Sequence, residues 1–123
     1  MTRVSVVIPA LNDSPMLANC LRALAAQTRL ADEIIVVDNG STDDTAAVAL
    51  AAGALVIEEP LRGIFPATAA GFDAAGGDLL ARLDADSVPP ADWLQRVVTA
   101  FEDDPDLERG HDPLEPVRGG NRV

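Results

Sequence analysis

The chain has 123 residues, 48% of them hydrophobic, which is enough for one folded unit with its own core and too apolar for a disordered acidic tail. Twenty acids against nine bases give a formal net charge of -11, so there is no electrostatic footprint for DNA or RNA and no polybasic membrane anchor. All nine bases are Arg, which removes Schiff-base chemistry and the phosphate-loop lysine together.

Val4-Ser-Val-Val-Ile8 is a short β-branched run ended by Pro9, the pattern of a strand buried in a parallel sheet. Leu17, Cys20, Leu21 and Leu24 then recur at helical spacing, with Asn12, Asp13 or Ser14 as caps and Pro15 in the first turn. Cys20 has no second cysteine to pair with and sits on that apolar stripe, so it reads as a small buried hydrophobe rather than a nucleophile. A second strand is expected over Glu33-Ile-Ile-Val-Val37, ended by Asp38-Asn-Gly-Ser41. A second helix should open at Ser41, where Ser41-Thr-Asp-Asp44 has the form of a capping box with Asp in place of Glu, and should stop before Gly53.

Ala54 to Ile57 gives a third strand and Pro60 to Pro66 a loop. Ala69, Phe72 and Ala75 then mark a small-residue helix running to Gly76-Gly77. Leu79 to Leu83 is the fourth strand. After Pro89-Pro90, Trp93, Leu94, Val97, Val98 and Phe101 form the apolar face of a fourth helix, closed by Glu102-Asp-Asp-Pro105. Residues 1–107 are therefore read as one domain. Residues 108–123, which include the sole histidine His111, are read as an irregular acidic, Gly- and Pro-rich tail. No apolar run approaches the ~18 to 20 residues that cross a bilayer, and the amino terminus lacks the plan of a secretory signal. The expectation is a cytoplasmic protein with no membrane span.

Strands alternating with helices predict an α/β fold, a mostly parallel sheet flanked by helices and joined by right-handed crossovers. A sheet of four strands leaves an open edge that a second copy, as in a homodimer, or a partner chain would cover. Ligands of such sheets bind beyond the carboxyl ends of the strands, near the point where strand order reverses. Three polar segments converge there: Pro9-Ala-Leu-Asn12, Asp38-Asn-Gly-Ser41 and Asp84-Ala-Asp86. The last places two carboxylates at the end of an apolar strand, where a hard cation such as Mg²⁺ or Mn²⁺ can be held and completed by water and substrate phosphates. Asp more often caps a turn in such places. Yet an anionic ligand of so acidic a chain needs local neutralisation, by a metal, an arginine or a helix amino terminus. A GxGxxG turn after the first strand is missing, which removes the main support for dinucleotide binding.

Taken in order, Val4-Ser-Val-Val-Ile-Pro-Ala-Leu-Asn12, Gln27-Thr28, Asp32-Glu-Ile-Ile-Val-Val-Asp-Asn-Gly-Ser-Thr-Asp43, Gly77-Asp78 and Leu83-Asp-Ala-Asp86 resemble the amino-terminal half of a family 2 glycosyltransferase. The similarity runs from Arg3 to about Leu107 and implies the Rossmann-like, nucleotide-sugar-binding half of the GT-A fold. It implies a transferase that moves a sugar from a nucleoside diphosphate sugar to an acceptor hydroxyl with inversion, using a divalent cation, Mn or Mg. In that resemblance Pro9, Ala10 and Asn12 line the nucleotide pocket. Asp38 faces the base, accepting from a ring N–H, and Asn39 stands where relatives often carry a second Asp, which leaves the base open. Arg62 lies in a loop where some relatives place a phosphate- or base-contacting arginine. Asp84 meets the ribose, or the cation through water, and Asp86 binds the cation directly.

Departures from the pattern carry information too. Leu11 replaces a Tyr, and Thr68-Ala69 replace a frequent Arg-Asn pair, while Trp93 matches a family position but has the spacing of a helix anchor. The acceptor hydroxyl needs a carboxylate base, which in the family comes from the second half. Asp103, Asp104, Glu108 and Asp112 read as solvated acids, so no catalytic base is assigned here. The expectation is a truncated transferase, or one needing a partner to complete its acceptor side, with the acceptor unknown. The alternative is a non-catalytic nucleotide-sugar-binding module or a gene remnant. A phosphoacceptor domain with clustered aspartates would ordinarily carry a lysine beside them.

Overall fold

The computed structural model describes residues 2–103 and the backbone of a short strand at 121–122. In chain order the elements are β1 (Val4–Ala10), α1 (Ser14–Ala25), β2 (Glu33–Asp38), α2 (Thr45–Ala51), β3 (Leu55–Glu58), α3 (Ile64–Ala74), β4 (Leu79–Arg82), α4 (Trp93–Asp103) and β5 (Asn121–Arg122). The sheet order is β3-β2-β1-β4-β5 and every adjacent pair is parallel. The α/β architecture with a parallel sheet is thus the one expected. The chain moves outward from β1 through β2 to β3 and then returns to the other side of β1 for β4, so the reversal of strand order falls between β1 and β4.

β1 sits at the centre and all seven of its residues are buried. Alternate side chains point to opposite faces of a strand, and the core divides accordingly. Val4, Val6, Ile8 and Ala10 pack with Val36 and Leu79 under α1, α2 and α4, through Leu17, Cys20, Leu21, Leu24, Ala49, Leu94 and Val98. Val7, Ile35, Val37 and Leu80 form the other face, under Ala67 and Phe72 of α3. α3 lies very close to the sheet. A Cβ on Gly71 would stand 2.3 Å from Val7 Cγ1 and 3.0 Å from Val37 Cγ2, so only glycine lets the helix rest there.

β1 runs two residues beyond the expected last residue, Ile8, and passes through Pro9 to Ala10. The Val7 carbonyl accepts from the Leu83 amide on the β4 side and the Ala10 carbonyl accepts from Asn39 on the β2 side. By alternation Pro9 faces the β4 side, where β4 has already ended, so its missing N–H costs no ladder bond. α2 also departs from expectation, opening at Thr45 rather than Ser41. Residues 41–43 are drawn into bonds with Asp38 and Asn12, and Asp43 Oδ1 accepts from the Thr45 amide at 3.0 Å. α3 begins earlier than expected, at Ile64, with Pro66 in the first turn, where proline is tolerated. In the segment expected to be irregular, Asn121 and Arg122 pair with Leu79 and Leu80. The rest of that segment, with Glu108, His111 and Asp112, lies outside the described residues, as does Asp104.

Carboxylates and amides tie the sheet's lower end. Asp32 Oδ2 accepts from the Val4 amide at 2.7 Å, Asp78 Oδ2 from Arg3 at 3.0 Å, and buried Ser5 donates to Glu33 Oε1 while accepting from the Gly77 amide. Buried Gln27 joins the end of α1 to the start of α4, donating to the Pro90 carbonyl at 2.7 Å and accepting from the Leu94 amide at 3.0 Å. The Asp32-Glu, Gly77-Asp78 and Gln27 parts of the motif set therefore hold the fold.

Gly71→Ala should destabilise the protein by about 1–3 kcal/mol through overpacking, read as a lower urea midpoint at unchanged slope. The Val4 amide, and after it the Arg29 guanidinium, hold the Asp32 carboxyl below its ordinary value of 3.8. A lowered pKa contributes stability above the unfolded value that is lost as pH falls through the folded one. Asp32→Asn should accordingly be less stable than the wild type at neutral pH, with the two stability curves converging in acid.

Candidate functional site

The carboxyl ends of β1, β2 and β4, with the loops that follow them and the loop after β3, carry all the residues given a binding or metal role from the sequence. At the end of β4 the strand alternation continues past the last ladder bond. Leu83 and Ala85 are buried while Arg82, Asp84 and Asp86 face outward. A turn follows, closed by the Ser87 amide on the Asp84 carbonyl at 3.0 Å. The same carbonyl accepts from the Cys20 thiol at 3.8 Å, which fastens the turn to α1. Burial, and after it the negative charges of Asp86 and Asp84, push the Cys20 thiol up to about 11, so it stays protonated and inert at neutral pH.

Several acids near the sheet ends accept from the chain's own amides, but among the described residues Asp84 and Asp86 do not. The Asp84 carboxylate has Arg82 at 3.9 Å, a half-exposed contact of the weak surface kind. Asp86 makes no hydrogen bond or ion pair among the described residues. These are hard oxygen donors, exposed and close in sequence, and no group of three or more His, Cys, Asp or Glu that could hold a metal forms among the described residues. Such a pair suits a cation completed by water and ligand phosphate, and does not suit a metal enclosed by protein.

Asp38 and Asn39, at the end of β2, are both buried. Asp38 Oδ1 accepts from the Ser41 amide at 2.9 Å. Asn39 is turned toward the loop after β3. Its Nδ2 donates to the carbonyls of Glu59 at 2.8 Å and Leu61 at 3.0 Å, and its Oδ1 accepts from the Gly63 amide at 3.0 Å. Gly63 has φ +128, a conformation that favours glycine, and it leads directly into α3. An ionised Asp at position 39 could not donate to those two carbonyls, which gives the Asn a structural reason. Arg62 in the same loop lies over Gly40, where a Cβ would meet Nε at 3.7 Å, and it has no ion-pair partner among the described residues.

Between these loops is an open cleft of about 240 Å³, walled by Pro9, Ala10, Leu11 and Asp13 on one side and by Asn39, Gly63, Ile64 and Ala67 on the other. Pro9, Ala10 and Asn39 are therefore brought together in one depression. Asn12, Asp38, Arg62, Asp84 and Asp86 do not line it. Asn12 has the sole positive φ of a non-glycine among the described residues, +52, and its side chain points to the loop after β2. Sequence reasoning missed Arg82, and read Ser41 and Thr42 as a helix start rather than as partners of Asn12. Arg82 had a signal, since it stands two residues before Asp84 and so on the same side of the chain. The pairing of Ser41 and Thr42 with Asn12 had none, because the partners lie 29 or 30 residues apart. Thr68 Oγ1 is buried with no hydrogen-bond partner among the described residues.

Asn39→Ala should lower stability by about 1–3 kcal/mol, since it removes three bonds to a buried side chain. Urea unfolding checks this.

The sequence model of glycosyl transferase family 2 matches residues 5–108. An uncharacterized glycosyltransferase of Mycobacterium tuberculosis is 40% identical over 116 residues, covering 94% of this chain and 50% of that protein. An undecaprenyl-phosphate 4-deoxy-4-formamido-L-arabinose transferase of Sodalis glossinidius is 37% identical over 115 residues, covering 85% of this chain and 35% of its own. Among solved structures, glucosyl-3-phosphoglycerate synthase of Mycobacterium tuberculosis, in complex with Mn²⁺, UDP and glucosyl-3-phosphoglycerate, superposes with a TM-score of 0.64 at 34% identity over 73% of this chain and 36% of that one. The chain thus spans between about a third and a half of the length of these relatives. Among the described residues no helix is long and apolar enough to cross a membrane.

Proposed function

From the premise that this chain belongs to glycosyl transferase family 2, we propose that residues 1–107 are the donor-binding part of an inverting, metal-dependent glycosyltransferase that uses a nucleoside diphosphate sugar. The observation that carries the reading is the pair of outward carboxylates, Asp84 and Asp86, on a turn pinned to α1 at the reversal point of a parallel sheet. Asp86, with no partner among the described residues, would hold Mn²⁺ or Mg²⁺ directly, and Asp84 would meet the ribose or reach the cation through water. When bound, the cation supplies Lewis-acid stabilisation of the negative charge that develops on the departing diphosphate.

The remaining residues bind and orient. Pro9 and Ala10 present the wall of the cleft between the β1 and β3 loops, and Asn39 fixes the opposite wall by holding the loop at 59–63. Asp38 is an acceptor with one oxygen engaged by Ser41, which leaves the other for a ring N–H of the base. Arg62 brings a positive charge over Gly40 in a chain whose formal net charge is -11, where an anionic donor otherwise meets repulsion. Acceptor activation is not assigned to any described residue.

Saturating UDP, GDP or dTDP with Mn²⁺ should raise the melting temperature by several degrees, since a hundredfold excess over Kd adds about 2.7 kcal/mol. Asp86→Ala should remove the shift. The absence of any shift with all three nucleotides would overturn the reading, and binding without sugar transfer or hydrolysis across a donor panel would favour a non-catalytic module.

A further inference from the structure

Asn12 stands in the loop after β1 yet acts on the loop after β2. Its Oδ1 accepts from the Thr42 amide at 2.7 Å and, at longer range, from the Thr42 hydroxyl and the Asp43 amide, both at 3.3 Å. The Asn12 amide in turn donates to Ser41 Oγ at 2.9 Å. The Ser41 amide donates to Asp38 Oδ1, and Asp43 Oδ2 accepts from the Ser14 amide at 3.3 Å, at the start of α1. The bonds form a closed circuit through both loops. Opening it at Asn12 frees the donors of Thr42 and Asp43 and, through Ser41, the partner of Asp38.

We propose that Asn12 is a positioning residue, a clip that joins the two loops and sets the Asp38 carboxylate for the nucleotide without itself touching it. The inference rests on the donor-binding reading given above for Asp38. Two properties of Asn suit the place. Its backbone has φ +52, which Asn and Asp tolerate better than other side chains and Gly adopts freely. Its side-chain oxygen supplies the acceptor that residues 42 and 43 need. The two properties separate by substitution: Gly keeps the backbone and loses the acceptor, whereas Asp keeps both and loses the Nδ2 donor.

The test compares the wild type, Asn12→Gly and Asn12→Asp in amide hydrogen exchange without ligand, in Mn²⁺ binding by electron paramagnetic resonance, and in UDP binding by calorimetry with Mn²⁺ present. Asn12→Gly should speed exchange at Thr42 and Asp43 and weaken UDP about tenfold, the scale expected for loss of a hydrogen-bonded clip. Its affinity for Mn²⁺ alone should stay within about twofold, since Asp84 and Asp86 lie outside the circuit; a merely structural lesion would not respect that division. Asn12→Asp should restore both slow exchange and UDP affinity. UDP binding by Asn12→Gly equal to the wild type would overturn the proposal. So would an Asn12→Asp protein with slow exchange and UDP binding as weak as that of Asn12→Gly, which would show the Nδ2 group touching the ligand. Should the wild type bind none of UDP, GDP or dTDP, the donor-binding reading falls, while unchanged exchange at Thr42 and Asp43 in Asn12→Gly would refute the clip on its own.

Discussion

A strand buried on both faces and bonded on both edges has no freedom of register, and β1 imposes that constraint on everything around it. Slipping it by one residue would exchange Val4, Val6 and Ile8 for Ser5 and Val7 beneath α1 and α4. Its lower end is fixed by carboxylates from the two neighbouring strand entries, Asp32 on Val4 and Asp78 on Arg3. Its upper end is held on the β2 side alone, because β4 stops at Arg82 while β1 continues to Ala10. The gap so opened at the reversal of strand order is where the loop of Asn12 and the turn of Asp84 emerge. The candidate site therefore lies where strands of unequal length end in a rigid sheet.

The acids of the chain stand in different settings. Asp32, Asp78, Asp43, Glu33, Glu59 and Asp38 accept backbone N–H bonds, so their charge is matched by amide dipoles. Asp43 shows the effect in its own carboxyl, which the Thr45 hydroxyl and the Thr45 and Ser14 amides hold below the ordinary range. Asp84 and Asp86 accept from no amide among the described residues. Carboxylates without local donors are the ones that gain most from an external cation. The contrast with the tethered acids is more informative than the count of acids as a whole.

Much of the fold was legible because it depends on local pattern. The β-branched runs of β1 and β2 and the spacing of Leu17, Cys20, Leu21 and Leu24 mark their elements without reference to the rest of the chain, and Cys20 is buried as its stripe implied. Asp84 and Asp86 stood out for the same reason, two acids at the end of an apolar run. What could not be read depends on partners far away in sequence. Ser41-Thr-Asp-Asp44 has the composition of a helix start, but Asn12 and Asp38 occupy its amides and delay α2 to Thr45. Asn39 gives no local hint that it holds residues 20 to 24 positions away. The start of α3 was hidden by Pro66, a residue that breaks helices in their interior and is harmless in their first turn.

The bond from Cys20 to the Asp84 carbonyl turns the sole thiol into a reporter on the turn that carries both aspartates. Buried and held in its protonated form, it is shielded from alkylating reagents while α1 and the turn stay together. Every modification event then records a moment when they parted. The speed of labelling measures how often that corner breathes, and a ligand anchored on the turn would slow it.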